Sequence, residues 1–260
     1  MPNPGFTGRA IANLSGTQSA RPAVLVTGGS GGIGRAISHA FGQTGWYVGV
    51  HYCRNKTAAQ ATLQDVISPS GTGDIYQADL REAEAIQRMI THFGQQTMSA
   101  SSTAMICAAG IGASSLLLRQ RDEAWADIVA INLTGTFRCL RAMAPLLIER
   151  GGGSIIVLGS YAAFHGGTGQ AAYAASKAGL SGLVNSAALE WGDFNIRVNL
   201  VLPGWQQTEI SREAMPEADG WQDHALHRTP SRHEVAGTIL HLAQLQDVSA
   251  QVWNCDSRNL

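Results

Sequence analysis

Residues Ala23-Val24-Leu25-Val26-Thr27-Gly28-Gly29-Ser30-Gly31-Gly32-Ile33-Gly34 run from a short apolar stretch into a glycine cluster, then into a helical pattern lasting to about Phe41. A continuous apolar run of this length reads as a strand covered on both faces, the form that strands of a parallel sheet take. Backbone N–H groups at the start of the following helix, with no Cβ to hold a ligand away, suit a pyrophosphate. Two glycine registers overlap. Gly29, Gly31 and Gly34 fit G-x-G-x-x-G, whereas Gly28, Gly32 and Gly34 fit G-x-x-x-G-x-G. The second is preferred, because it puts Gly28 at the strand end and Gly34 where the helix packs on the sheet. The candidate phosphate loop therefore comprises Gly28, Ser30, Gly32, Ile33 and Gly34.

The same unit repeats outward from this loop. Tyr47 to Val50 reads as a strand, Thr57 to Ile67 as a helix, Ile75-Tyr76 as a strand and Arg81 to Phe93 as an amphipathic helix. Ala104 to Cys107 follows as a strand, then a long helical region at 122–149, broken at most locally by Gly135 and Pro145. Ser154 to Leu158, Arg197 to Leu202 and Val252-Trp253 complete seven strands, with a helix running from Tyr173 toward Trp191. Strands alternating with helices predict an α/β fold, one doubly wound Rossmann-type domain with a parallel seven-stranded sheet and helices on both faces. That domain is expected over 22–260, behind a loose N-terminal tail at 1–21. Between about 204 and 228 periodicity fades around Pro216 and Gly220, as in a lid over a site. Ser231-Arg232-His233-Glu234 is a capping box that opens a last helix to about Leu245.

Composition narrows the function. Among 260 residues 45% are hydrophobic and 14% charged, with a formal net charge of -1. A chain so weakly charged offers no footprint for nucleic acid or an anionic membrane surface, so a small ligand or cofactor fits better. The first twenty residues lack the apolar core of a signal peptide, which gives a cytoplasmic expectation. Cys53, Cys107, Cys139 and Cys255 show no metal spacing and read as reduced, mostly buried thiols. His224-x-x-His227 with His233 beyond has no supporting carboxylate pattern, so no metal is expected.

An NAD site places a carboxylate about 20 residues beyond the glycine loop, at the end of the second strand. Here the chain has no Asp or Glu before Asp65; the strand ends in His51-Tyr52-Cys53-Arg54-Asn55-Lys56, and Arg35 follows the loop. A ribose 2′-phosphate would meet the Arg54 guanidinium, which predicts NADP (NADPH).

A second motif supplies chemistry. Tyr173-Ala-Ala-Ser-Lys177 on a helix puts the phenol and the ammonium on one face, a turn apart. A neighbouring ammonium favours the ionised phenol and pulls its pKa down toward working pH, where it can exchange a proton.

With a TGxxxGxG loop, a serine and a YxxxK motif, the sequence resembles the short-chain dehydrogenase/reductase family from Ala23 to Trp253. Within it the chain is similar to the 3-oxoacyl thioester reductases of fatty-acid and polyketide synthesis, notably in Gly-Gln-Ala-Ala-Tyr173 and Ala-Ala-Ser-Lys177-Ala-Gly-Leu. The resemblance implies that Asp79 and Leu80 contact the adenine, and that Ala109 and Gly110 border the cofactor. It implies that Pro203, Gly204 and Thr208 cover the nicotinamide, and that Asn132, Ser160, Tyr173 and Lys177 are catalytic. On that reading Tyr173 gives a proton to a ketone oxygen, Ser160 hydrogen-bonds the same oxygen, Lys177 holds the ribose, and Asn132 anchors a water refilling the proton path. A homotetramer or homodimer paired through helices at about 122–149 and 173–191 is likewise implied, as is a substrate carried on an acidic acyl carrier protein, with Arg150 near a docking place.

Two motifs depart from the family. Its usual Asn-Asn-Ala-Gly reads Cys107-Ala108-Ala109-Gly110, without an amide that braces the sheet. Its Val-Asp-Gly-Gly close reads Cys255-Asp256-Ser257-Arg258. His165 and the tryptophans Trp205 and Trp221 are further candidates for the cleft. An alcohol, sugar or steroid dehydrogenase of the same family and a non-catalytic NADP-binding regulator remain open as alternatives.

Overall fold

The computed structural model describes residues 20–67, 71–206 and 221–260. Its elements follow in the order β1 (Ala23–Thr27), α1 (Gly32–Gln43), β2 (Tyr47–Tyr52), α2 (Lys56–Ile67), β3 (Thr72–Gln77) and α3 (Ala83–Gln96). After them come β4 (Thr103–Cys107), α4 (Asp122–Val129), α5 (Thr136–Glu149), β5 (Gly153–Leu158) and the short α6 (Ala162–His165). The chain closes with α7 (Ala171–Trp191), β6 (Ile196–Leu202), α8 (Arg232–Gln244) and β7 (Val252–Asn254). All seven strands pair in parallel in the order β3-β2-β1-β4-β5-β6-β7. The expected α/β doubly wound architecture is what forms.

Strand alternation divides the core in two. Ala23 and Leu25 of β1 face one side, with Phe93 of α3, Met143 of α5 and Val184 of α7. Val24 and Val26 face the other, with Ile37 and Phe41 of α1 and Ile239 of α8. Successive side chains point to opposite faces of a strand, so β1 must be apolar throughout, and all five of its residues are buried. Strand order reverses between β1 and β4, where Thr27 pairs with Cys107. Ligands of open α/β sheets bind at such a switch point, beyond the carboxyl ends of the strands.

Element bounds differ from expectation where side chains bond the backbone. β2 continues to Tyr52 because its pairing with β3 continues through His51 opposite Tyr76 and Tyr52 opposite Gln77. α3 starts at Ala83 rather than Arg81, since the backbone N–H of Arg81 donates to Asp79 Oδ1 in a turn. The long region at 122–149 is interrupted by a wide π turn at Ala130–Gly135, whereas α5 runs through Pro145. The capping box is present: Glu234 N donates to Ser231 Oγ and Ser231 N donates to Glu234 Oε2, both at 3.2 Å.

The tail at 1–19, Thr208 and lid residues 207–220 lie outside the described residues. Cys107 and Cys139 are buried, Cys255 is half-buried and Cys53 is exposed. Among the described residues no helix is long and apolar enough to cross a membrane.

Candidate active site

The glycine loop is built by close approach. Gly28 has φ +65°, and a Cβ there would lie 2.7 Å from the Cα of Ala109. At Gly34 a Cβ would lie 2.1 Å from the carbonyl oxygen of Gly28, so the first turn of α1 can rest on the loop only as glycine. Gly31, by contrast, would place a Cβ 3.4 Å from its nearest neighbour, an ordinary contact. Sterics therefore count against Gly31 as a required glycine, although Gly29 is tight as well, a Cβ there lying 3.0 Å from the Val26 carbonyl oxygen.

α1 starts without a side-chain cap, and its first turn carries no carboxylate. The N–H groups of Gly32, Ile33 and Gly34 thus begin a helix at the switch point with no side chain to satisfy them, beside Ser30. An anion is the natural partner for such a terminus, and a dinucleotide pyrophosphate fits the donors present.

Thr27 joins this loop to the end of β4. Its hydroxyl accepts from the N–H of Ala109 at 3.3 Å, and Ala108 N donates to its carbonyl at 3.2 Å. The bracing expected to be lost with the family's asparagine pair is thus shared by a threonine. Cys107, at the first position of that pair, is buried, and burial pushes its thiol up to about 12, with Lys177 pulling the other way.

Beyond β5, Ser160, α7 and the π turn bring the second group together. Ser160, whose Oγ accepts from the N–H of Ala162 at 3.2 Å, lies close enough to the Tyr173 phenol to favour its ionised form. Lys177, one turn along α7, is buried and donates from Nζ to the carbonyl of Leu158 at 2.7 Å. Burial brings its pKa down to about 8, although Cys107 nearby works to raise it. The expected lowering of the phenol by Lys177 is not what forms. Burial raises the Tyr173 pKa, with only the Ser160 side chain acting to lower it, and the ammonium lies 5.8 Å from the ring centre. The phenol is therefore held as an acid.

Asn132 lies fully buried in the π turn. Its Oδ1 accepts from Ile111 N at 2.8 Å, and its Nδ2 donates to Ile111 O at 2.9 Å and to Ser176 Oγ at 3.1 Å. Ser176 in turn donates to the carbonyl of Tyr173 at 2.7 Å. The amide ties the Gly110 loop to the tyrosine helix. A Cβ at Gly110 would sit 3.2 Å from Asn132 Oδ1 and 3.7 Å from Lys177 Nζ, so both atoms look onto the space over that glycine.

Other predicted residues are distributed as follows. Asp79 is half-buried; its carboxylate takes Arg81 at 2.6 Å and is held below the usual range by that hydrogen bond, with Arg54 adding charge. Leu80 is a core side chain. Arg54 is exposed, and Arg35 pairs with Asp65 at 2.7 Å. Pro203 and Gly204 follow β6, and Pro203 O accepts from Gln206 at 3.0 Å. His165 stacks on Tyr161 with ring centres 4.3 Å apart. His224 bonds Asp223 at 2.6 Å and meets Trp221 edge-on.

Arg150 overturns one expectation. It donates to Thr103 Oγ1 at 2.8 Å, to Gly94 O at 3.0 Å and to Thr97 Oγ1 at 3.1 Å. Thr103 opens the central strand β4, so this guanidinium is engaged at the amino end of the sheet, opposite the carboxyl ends of the strands.

Three residues with clear geometry were not singled out from sequence: His51, Ser176 and Arg258. Ser176 lies inside the Tyr-x-x-x-Lys motif, three residues after Tyr173, and helical spacing alone could have found it. His51 and Arg258 act across the chain.

A doubly wound sheet with an uncapped glycine loop and a tyrosine, lysine, serine and asparagine at one switch point defines a nucleotide-dependent oxidoreductase. The family model for short chain dehydrogenase matches residues 22–219, and the chain belongs to that family. It therefore acts on CH–OH or C=O groups with a nicotinamide cofactor. It is 35% identical over 237 residues to a 3-oxoacyl-[acyl-carrier-protein] reductase of Synechocystis sp., covering 89% of this chain and 94% of that one. It is 35% identical over 196 residues to a (3R)-3-hydroxyacyl-CoA dehydrogenase of Canis lupus familiaris, covering 73% and 75%. Among solved structures, a Serratia marcescens short-chain dehydrogenase/reductase carrying two substitutions superposes with a TM-score of 0.83 at 27% identity, covering 92% of this chain and 97% of that one.

Proposed function

We propose that this protein is an NADPH-dependent reductase that converts a ketone, foremost a 3-oxoacyl thioester, into its 3-hydroxy product. What carries the reading is the placing of Ser160 where it acts on the Tyr173 phenol, beside buried Lys177 and at the same switch point as the uncapped glycine loop. A bound dinucleotide would be held by Gly28, Ser30, Gly32, Ile33 and Gly34, with Asp79, Leu80, Ala109, Gly110, Pro203 and Gly204 beside it, and would supply the hydride.

The chain's own residues handle the oxygen and the proton. Tyr173, kept protonated by burial, donates to the carbonyl oxygen, while Ser160 hydrogen-bonds that oxygen and steadies the developing alkoxide. Lys177 holds the nicotinamide ribose. With Asn132 Oδ1 it faces the space over Gly110, where a water can return the proton to Tyr173.

Relatives named for acyl-carrier-protein substrates support the thioester class. The internal engagement of Arg150 and a relative named for a CoA thioester support a second reading, in which the acyl group arrives on CoA. Exposed apolar side chains on the outer helices, Trp125, Phe137, Ile148 and Leu189, support pairing into a homodimer or homotetramer, which light scattering measures.

The deciding experiment follows NADPH oxidation with a short 3-oxoacyl thioester, on carrier protein and on CoA, against a panel of polyols and steroids. Turnover confined to the thioesters is expected. Tight NADPH binding without turnover of any substrate would establish a regulator instead.

A further inference from the structure

The mechanism leaves the C-terminal tail unused, yet the tail reaches the substrate end of the site. Arg258 lies with its guanidinium carbon 3.8 Å from the centre of the Tyr161 ring and 6.0 Å from that of Trp205. Tyr161 directly follows Ser160, and Trp205 directly follows Gly204. One side chain thus touches the chain segments that leave β5 and β6 on either side of the proposed carbonyl site.

The guanidinium is held from behind. Its Nε donates to Asp256 Oδ1 at 3.1 Å and Oδ2 at 3.0 Å, its Nη2 donates to Oδ2, and its Nη1 lies 3.8 Å from Asp223. The Asp256 carboxylate is wholly buried, and a Cβ at Gly204 would lie 2.9 Å from Asp256 Cβ. Asn254 closes the turn, donating to Arg258 O at 2.7 Å and accepting from Asp256 N at 3.1 Å.

Such a pair is a poor device for stability, since desolvating two charges offsets most of their attraction. It is a good device for placement. A planar guanidinium can fork onto a carboxylate through its edge while its face lies on an aromatic ring, which an ammonium cannot do. Asp256 fixes Arg258 against Gly204, and Arg258 fixes the ring next to Ser160. The two acidic neighbours balance the guanidinium charge, so its task is to hold a wall rather than bind an anion.

We propose that Arg258 is a positioning residue of the substrate site, clamping Tyr161 as the wall that limits the acyl chain accepted. The proposal rests on the reductase reading. The test compares kcat and KM for 3-oxobutanoyl and 3-oxododecanoyl thioesters in wild type, R258A, R258K, Y161F and Y161L, with NADPH affinity measured by fluorescence. Wild type is expected to favour the shorter substrate. R258A and Y161L should each shift the kcat/KM ratio toward the longer one by about tenfold, through KM, which a gain or loss of pocket contacts of a methylene or two can supply. R258K should resemble R258A, whereas Y161F, which keeps a ring under the guanidinium, should keep the ratio. NADPH affinity should stay within about twofold throughout, since the variants leave Asp256 on Gly204 and Arg258 itself is not among the nearest neighbours of Gly204.

A ratio unmoved in both R258A and Y161L overturns the clamp alone, as does a parallel loss of NADPH binding, which would mark a purely structural role. If R258A fails to fold, the contrast between Y161L and Y161F decides. A wild type that reduces neither thioester overturns the reductase reading and the clamp with it.

Discussion

The Nδ1 atom of His51 accepts a 2.9 Å hydrogen bond from the backbone N–H of Gly28, while its Nε2 contacts the Ala78 carbonyl at 3.0 Å. An N–H can only donate and a carbonyl only accept, so the ring is neutral with its hydrogen on Nε2. This histidine links the glycine loop to the end of β3, just before Asp79. Burial holds its pKa down to about 4, against the upward pull of the Ala78 carbonyl.

A depressed folded pKa means that the unfolded chain takes up the proton first, near the ordinary 6.5. The stability tied to neutral His51 is complete above that value and is lost as pH falls through about 4. Between pH 7 and pH 5 the loss should be about 2 kcal/mol. Urea unfolding at both values should show that difference in wild type and not in His51→Asn, whose Oδ1 can still accept from Gly28. Equal pH dependence in the two proteins would remove His51 from this role.

The two glycine registers share Gly34 and part at Gly31, so a methyl group at Gly31 tells them apart while one at Gly34 should be costly in either. Gly34→Ala drives a Cβ to 2.1 Å from the Gly28 carbonyl, whereas Gly31→Ala meets nothing closer than 3.4 Å. Forced shifts in a packed segment cost about 1–3 kcal/mol. Gly34→Ala should lose stability on that order, together with most of its NADPH affinity, and Gly31→Ala should keep both. Calorimetric titration of NADPH and a thermal melt check the pair.

Much of this arrangement was legible in the sequence because local patterning carries it. The apolar run Ala23–Val26 of β1, the glycine loop and the Tyr173–Lys177 spacing each follow from patterns within a few residues. What was not legible depends on distant segments meeting. Whether Lys177 lowers the phenol depends on how deeply α7 sinks beside β5, and burial proved the larger effect on both groups. Arg150 reads as a surface base beside its glycines, yet packing of α5 on β4 brings Thr97 and Thr103 to it. His51 looked like one more residue of a strand end until β1 and β3 closed on either side of it.

Tyr173 and Lys177 should separate in their pH behaviour. Tyr173→Phe removes the proposed proton donor, so kcat should fall by about 10²- to 10⁴-fold while NADPH affinity changes little. Lys177, brought down to about 8, loses its positive charge well before the half-buried phenol, whose pKa is raised, ionises. For ketone reduction the profile of kcat/KM should therefore be flat below pH 8 and fall as pH rises through it. In Lys177→Ala the residual activity should lack that limb. A limb at the same pH in Lys177→Ala would assign it to another group.

Cofactor choice turns on Arg54. Arg35 is already paired with Asp65, and the Asp79 carboxylate is taken by Arg81, while Arg54 stands exposed just beyond β2. A guanidinium there can accept a 2′-phosphate, and no carboxylate sits at the strand end to hold a free 2′-hydroxyl. A hydrogen bond to a charged group contributes about 1.5–3 kcal/mol, so Arg54→Ala should raise the NADPH KM by roughly 10- to 100-fold. The NADH KM should hardly move, because that ribose offers no phosphate to lose. Arg35→Ala should have the smaller effect on NADPH, its charge being partly answered by Asp65. Steady-state kinetics with both cofactors decide the point, and a wild type that uses NADH far better than NADPH would end the charge argument.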